Sequence, residues 1–194
     1  MGTPPSKGKL LYHITHIDNM YSILQHGLLS RKELELRGIQ GFKDIADPKI
    51  MKNREELSRY VLFHFFARNP FDGAVCGTYG SENMVIITIT RDGYRENDYF
   101  VIPSHPLDSE KPCIYPYEEG IKHIKWDILD MKAGRDYRIP EIKKACMAEC
   151  IMEYIIPPES FRLVYVYNEE AKQKLLTIPN NNVINIKVAP YMFR

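Results

Sequence analysis

The chain has 194 residues, 44% of them hydrophobic and 26% charged, with 26 Lys and Arg against 25 Asp and Glu. That length carries one well-buried core rather than two independent domains, and the composition excludes a disordered coil and a collagen-like fibre. The near balance of charge excludes a wholesale basic coat for nucleic acid, so any such site must be local.

Residues 1–9 are polar and read as a flexible lead-in to a single domain over 10–194. No stretch has the apolar length of a signal peptide or a membrane span, which predicts a cytoplasmic protein. KLLYHIT is apolar and β-prone, and HIDNMYSILQHGLL then places Ile17, Met20, Ile23 and Leu24 at helical spacing. Asp18 or Asn19 is the expected cap of that helix, and Gly27 its left-handed end, with Leu28 and Leu29 carried onward in a loop.

From Arg31 to Arg59 the chain is charged and punctuated by glycine, with RKELELRG as a helix and DPKIMKNREELSR as a second segment of a cover. YVLFHFFARNP and ENMVIITITR are strands of a central sheet. Between Arg91 and Pro140 the Pro- and Tyr-rich sequence predicts irregular structure with one helix, EEGIKHIKWDIL. FRLVYVYN, EEAKQKLL and NVINIKVAP then read as strand, helix and closing strand, and no internal repeat is evident.

Glu149 stands out because it interrupts ACMAECIMEYII, a stretch otherwise apolar enough to be buried. A buried carboxylate is satisfied by an Arg or by backbone donors, or else it does electrostatic or acid/base work in a cleft. Alternation along the first strand puts His13 and Thr15 on one face and Ile14 on the other. His16, His26, His64, His105 and His123 have no ligand spacing and read as structural or exposed. Cys76, Cys113, Cys146 and Cys150 form no CxxC pair, so they read as reduced thiols and no metal is expected.

In HFFARNPFDGAV the aromatics serve as core, or Phe65, Phe66 and Tyr79 wall a planar ring with Arg68 placed for phosphate. No Gly-rich phosphate loop is present, which argues against a Rossmann or P-loop nucleotide site. Basic residues gather at Lys49, Lys52, Arg54 and Arg59 and again at Lys132, Arg135, Arg138, Lys143 and Lys144, where a solvated face is the ordinary reading.

Taken together, LYHITHIDNMYSILQHGLLSRKEL, GFKDIADPKIMKNR, HFFARNPF and KKACMAECIMEYIIPPE resemble the DarT family of bacterial DNA ADP-ribosyltransferase toxins, in order and spacing from about Leu10 to Pro158. The resemblance implies an α+β fold of the ADP-ribosyltransferase type, a split, twisted β-sandwich with flanking helices and an NAD+ cleft between small sheets. It implies that the His13–Ile14–Thr15 run holds the nicotinamide-ribose end of NAD+, that Gly27, Leu28 and Leu29 shape the neighbouring wall, and that Phe65, Phe66 and Arg68 line the same cleft. Glu149 matches the catalytic glutamate of the family's A-E motif. The supporting arginine falls at Arg54, where this sequence keeps one Arg in IMKNR.

The implied reaction uses NAD+ as co-substrate and no metal. Displacement at ribose C1′ passes through an oxocarbenium-like transition state stabilised by Glu149. An unstacked base must reach C1′, which favours single-stranded DNA, with Tyr94, Tyr99, Tyr115 and Tyr117 as structural residues or as stacking partners. FVIPSHPL, in place of a D-G-N-A type segment, leans the expected base toward guanine rather than thymine. An antitoxin with ADP-ribosyl hydrolase activity is the implied partner. Competing readings are transfer to RNA or protein, NAD+ hydrolysis, and a non-catalytic NAD- or nucleic-acid-binding module.

Overall fold

The computed structural model describes residues 3–46, 55–92, 98–105 and 112–193. The expected leading strand forms as β1 (Leu10–His16) and runs into a 3-10 turn at Ile17–Asn19 and then α1 (Met20–His26). The cap differs from expectation. His16 Nδ1 accepts the Asp18 N–H at 3.1 Å, while the buried Asn19 amide is used elsewhere, on Thr15 Oγ1 and the backbone of Lys43. Gly27 ends α1 at φ +84°, and an added Cβ would lie 2.7 Å from Ile155 Cγ2.

Next come α2 (Arg31–Leu36), whose first turn is capped by Ser30 accepting from the Glu33 N–H, and β2 (Val61–His64). A helix absent from the sequence reading follows, α3 (Pro70–Tyr79). Asn69 Oδ1 accepts the N–H groups of Phe71 and Asp72, and Pro70 occupies the first helical position, where a missing N–H costs nothing. Gly73 and Gly77 weaken its helical signal.

The remaining order is β3 (Met84–Thr90), β4 (Tyr99–Ile102), β5 (Tyr115–Pro116), α4 (Tyr117–His123), α5 (Trp126–Leu129), α6 (Pro140–Ala145), β6 (Glu149–Met152), β7 (Leu163–Val166), α7 (Glu169–Leu176) and β8 (Ile186–Val188). The single helix expected over EEGIKHIKWDIL is two, broken where Ile124 turns extended. The stretch expected to be irregular also contributes β4, a sheet member paired with β6.

Among the described residues the strands hydrogen-bond in the order β5-β4-β6-β2-β1-β3-β7-β8, antiparallel throughout except for the parallel pair β7–β8. The expected split lies at the centre. β1 matches β3 over seven residue pairs, whereas β1 and β2 are registered only at Tyr12 opposite His64. Two four-stranded halves therefore meet almost at a point.

The alternation of each strand sorts side chains onto two faces. Leu11, Phe63, Val85, Ile87, Val101, Cys150 and Val164 point to one face and pack with Met20, Ile23 and Leu24 of α1 and Leu175 of α7 in the main core. The other face carries two smaller clusters. Ile14, Met84 and Ile86 pack under Val75 and Cys76 of α3, and Ile102 and Ile151 pack with Leu57 and Tyr60. The lead-in is tied down through the Pro5–Lys7 turn. Ser6 donates to Asp130, and the buried Arg91 donates to the carbonyls of Pro5, Leu10 and Phe65.

Candidate active site

A cleft opens on the second face, between its two apolar clusters. Glu149, first residue of β6, lies opposite His64 of β2, and His64 lies opposite Tyr12 of β1, so the three side chains form one row across the split. Glu149 and His64 are buried, at 3% and 6% exposure, yet both line the cleft. His64 Nδ1 lies 3.2 Å from the carbonyl of Ala148, to which only a ring N–H can be the donor.

Where the β1–β2 ladder stops, a side chain fills in. His13 Nδ1 donates to the Leu62 carbonyl at 2.8 Å, so the imidazole replaces the missing strand-to-strand backbone bond. Burial lowers the His13 pKa to about 4, because the charged form would be desolvated, and the Leu62 carbonyl only partly opposes this. The ring is therefore neutral at neutral pH, with its proton on Nδ1 and Nε2 left as an acceptor.

The remaining wall comes from the loop after α1 and from residues 42–46. Leu28 exchanges backbone hydrogen bonds with Ile156, which fixes Leu28 and Leu29 against the cleft. A strap of Phe42, Asp44, Ile45 and Ala46 crosses it. Asn19 holds the strap by accepting from the Lys43 N–H at 2.8 Å and donating to the Lys43 carbonyl at 2.9 Å, and Arg31 donates twice to the Asp44 carboxylate, each at 2.7 Å. Asp18 adds a third tie between Lys43 and Lys174, and their hydrogen bonds hold its carboxyl down to about 2.

The sequence-derived site residues divide clearly. His13, Ile14, Thr15, Leu28, Leu29 and Glu149 line one cleft. Ile14 lies on the same sheet face as Glu149, away from His13 as alternation expects, whereas His13 and Thr15 point with Leu11 and Phe63 to the main-core face and border the cleft at the split between β1 and β2. Gly27 does not line the cleft; it ends α1 just before Leu28. Phe65, Phe66 and Arg68 are not brought to the cleft. Phe65 is 1% exposed, edge-on to Trp126 and beneath Arg91, and Phe66 lies under the Arg135 guanidinium. Arg68 borders a separate cavity. Arg54 and Tyr94 lie outside the described residues.

Tyr12, His64, Arg31 and Asp44 belong to the cleft but were not singled out from the sequence. Only the alternation of β2, with Phe63 inward and His64 outward, hinted at His64. Its partner could not be known without the register of β2 against β6.

The sequence model of a family described as "ssDNA thymidine ADP-ribosyltransferase, DarT" matches residues 12–194. The chain belongs to the DarT family. This DarT chain is 30% identical over 190 residues to a DNA ADP-ribosyl transferase–DNA ADP-ribosyl glycohydrolase fusion protein of Thermosipho africanus, covering 93% of the chain and 47% of that relative, so it spans about half the relative's length. Thermosipho africanus DarTG, solved with ADP-ribose, superposes with a TM-score of 0.79 at 26% identity over 96% of this chain and 51% of its own. Thermus sp. 2.9 DarT, solved with ADP-ribosylated single-stranded DNA, has the same fold, with a TM-score of 0.79 at 20% identity and full coverage of both chains.

Among the described residues no helix is long and apolar enough to cross a membrane, and no group of three or more His, Cys, Asp or Glu is placed to hold a metal ion.

Proposed function

We propose that this chain transfers ADP-ribose from NAD+ to a thymine base of single-stranded DNA. The observation that carries the reading is the buried carboxylate of Glu149 in a cleft whose walls come from separate halves of the sheet. Support for the substrates comes from the relatives: one Thermus sp. 2.9 DarT structure holds NAD+ and another ADP-ribosylated single-stranded DNA.

In this reading the nicotinamide riboside lies against Leu28 and Leu29, with a ribose hydroxyl donating to the free Nε2 of His13. The bond from C1′ to the nicotinamide nitrogen breaks and its electron pair leaves with nicotinamide. The positive charge that develops on the ribose is stabilised by Glu149 in a site where low dielectric strengthens the interaction. Thymine attacks through N3, its one ring N–H, and Glu149 takes the released proton. Arg54 is assigned to NAD+ or the acceptor base by its place in the family motif.

Thymine is proposed as the base in place of guanine, and the family's description, which names thymidine, supports it. The guanine preference drawn from FVIPSHPL rests on residues 100–107, of which 106 and 107 are outside the described set. A hydrolase partner that reverses the modification, and with it a toxin role, is supported by the glycohydrolase fused to the transferase in the Thermosipho relative.

The test is intact mass of four single-stranded oligonucleotides, each lacking one base, after incubation with NAD+ and either the protein or Glu149→Gln. The reading expects one ADP-ribose on every oligonucleotide except the one without thymine, and loss of about 10²–10⁴-fold in rate for the variant. Modification confined to RNA or protein, or unchanged activity in Glu149→Gln, overturns it.

A further inference from the structure

Arg68 is one of two non-glycine residues among those described with positive φ, at +67°, a left-handed conformation that strains a residue bearing a Cβ. The surroundings hold it there from both sides. Its N–H donates to Asp72 Oδ2 at 2.8 Å, and its carbonyl accepts the Tyr137 hydroxyl at 3.0 Å. The strained backbone projects an exposed guanidinium into a cavity of about 410 Å³ that Lys143 also borders, a volume typical of small-ligand pockets, about 300–1,000 Å³.

The cavity is electropositive. Among the described residues neither Arg68 nor Lys143 has an ion-pair partner. Arg135 adds a third cation near Tyr137, with its Nη1 buried and without a hydrogen-bond partner. Among the described residues Asp72 is the one carboxylate on the cavity wall, so two lining cations face one anion; its Oδ2 accepts the Arg68 N–H, and Asn69 already occupies the first N–H groups of α3. Side chains therefore supply the charge rather than the helix end.

The cavity shares no lining residue with the catalytic cleft but adjoins it through the first turn of α3. Phe71, with its ring 6.0 Å from that of His64, faces the cleft, and Asp72, the next residue, faces the cavity. NAD+ carries one diphosphate, whereas the backbone of an acceptor strand continues past the reacting base with a phosphate at every step, so a cationic cavity beside the cleft but outside its lining suits the strand.

We propose that Arg68 and Lys143 form a subsite for a phosphodiester of the acceptor strand next to the modified base. This rests on the reading that single-stranded DNA is the acceptor.

The experiment is fluorescence anisotropy of a labelled thymine-containing single-stranded oligonucleotide without NAD+, over a salt series, for the wild-type chain, the Arg68→Gln/Lys143→Gln double variant and the charge-keeping Arg68→Lys. NAD+ affinity is measured in parallel by calorimetry. The subsite expects about tenfold weaker DNA binding in the double variant, near-wild-type binding in Arg68→Lys, and unchanged NAD+ affinity. The slope of log K against log salt should fall by about 0.7 for each phosphate that the variant no longer neutralises. Equal DNA binding by wild type and double variant overturns the subsite and leaves the acceptor reading standing. Lost NAD+ affinity with intact DNA binding reassigns the cavity to the NAD+ diphosphate. A wild-type chain that binds no DNA overturns both.

Discussion

His64 lies opposite Glu149 in the sheet and, through its Nδ1–H, also grips the carbonyl of Ala148, the residue just before Glu149. One imidazole thus fixes the strand that presents the carboxylate. His64 is a positioning residue, and His64→Ala should lower kcat by about 10²-fold, the effect of a displacement near 1 Å, with KM for NAD+ changed little. Steady-state kinetics separate the two parameters, and an equal rise in KM would place His64 in substrate binding instead.

The neutral His13 has a definite pH signature. Its folded pKa, about 4, lies below the ordinary value of 6.5, so between those limits the unfolded chain binds more protons than the folded one. Its contribution to stability is complete above pH 6.5 and is lost as pH falls toward 4. Urea unfolding at pH 7.5, 6 and 4.5 should show a steeper loss for wild type than for His13→Gln, whose side chain does not titrate. Parallel curves would remove His13 as the source.

Two contacts hold the 42–46 strap, and they should differ in energetic weight. Asn19 is buried, and Asn19→Ala removes its hydrogen bonds to Thr15 and to the Lys43 backbone, at a cost of about 1–3 kcal/mol. The Arg31–Asp44 pair is partly exposed, so Arg31→Ala should cost under about 1 kcal/mol. Both variants loosen the wall of the cleft and should raise KM for NAD+. Chemical denaturation and kinetics on the two variants test this order, and equal stability losses would contradict it.

Gly27→Ala should destabilise by about 1–3 kcal/mol, since alanine is strained at φ +84° and its Cβ meets Ile155 and the Ile156 carbonyl. The Leu28–Ile156 bridge shifts with it, so activity should fall further than stability alone accounts for. Thermal unfolding beside the turnover rate measures the two effects.

The elements legible in the sequence were those with strong local patterning. Met84–Thr90 reads as a strand because it is almost continuously apolar, and Glu169–Leu176 reads as a helix that coincides with the observed α7. Glu149 was legible because a carboxylate in an apolar run demands a partner or a task. α3 was missed although Asn69-Pro70 is a cap followed by a favoured first residue, since two glycines blurred the rest. Phe65 and Phe66 could not be assigned to core or cleft by type. Their placement depends on Arg91 and Arg135, which are distant in sequence. The row Tyr12–His64–Glu149 is a property of strand register, which no single segment encodes.

Because the two halves of the sheet meet at one registered pair, a molecule that touches His13 on one side and Glu149 on the other acts as a splint. On the proposed reading NAD+ is that splint, and because it binds the folded chain and not the unfolded one, the melting temperature rises with NAD+ concentration.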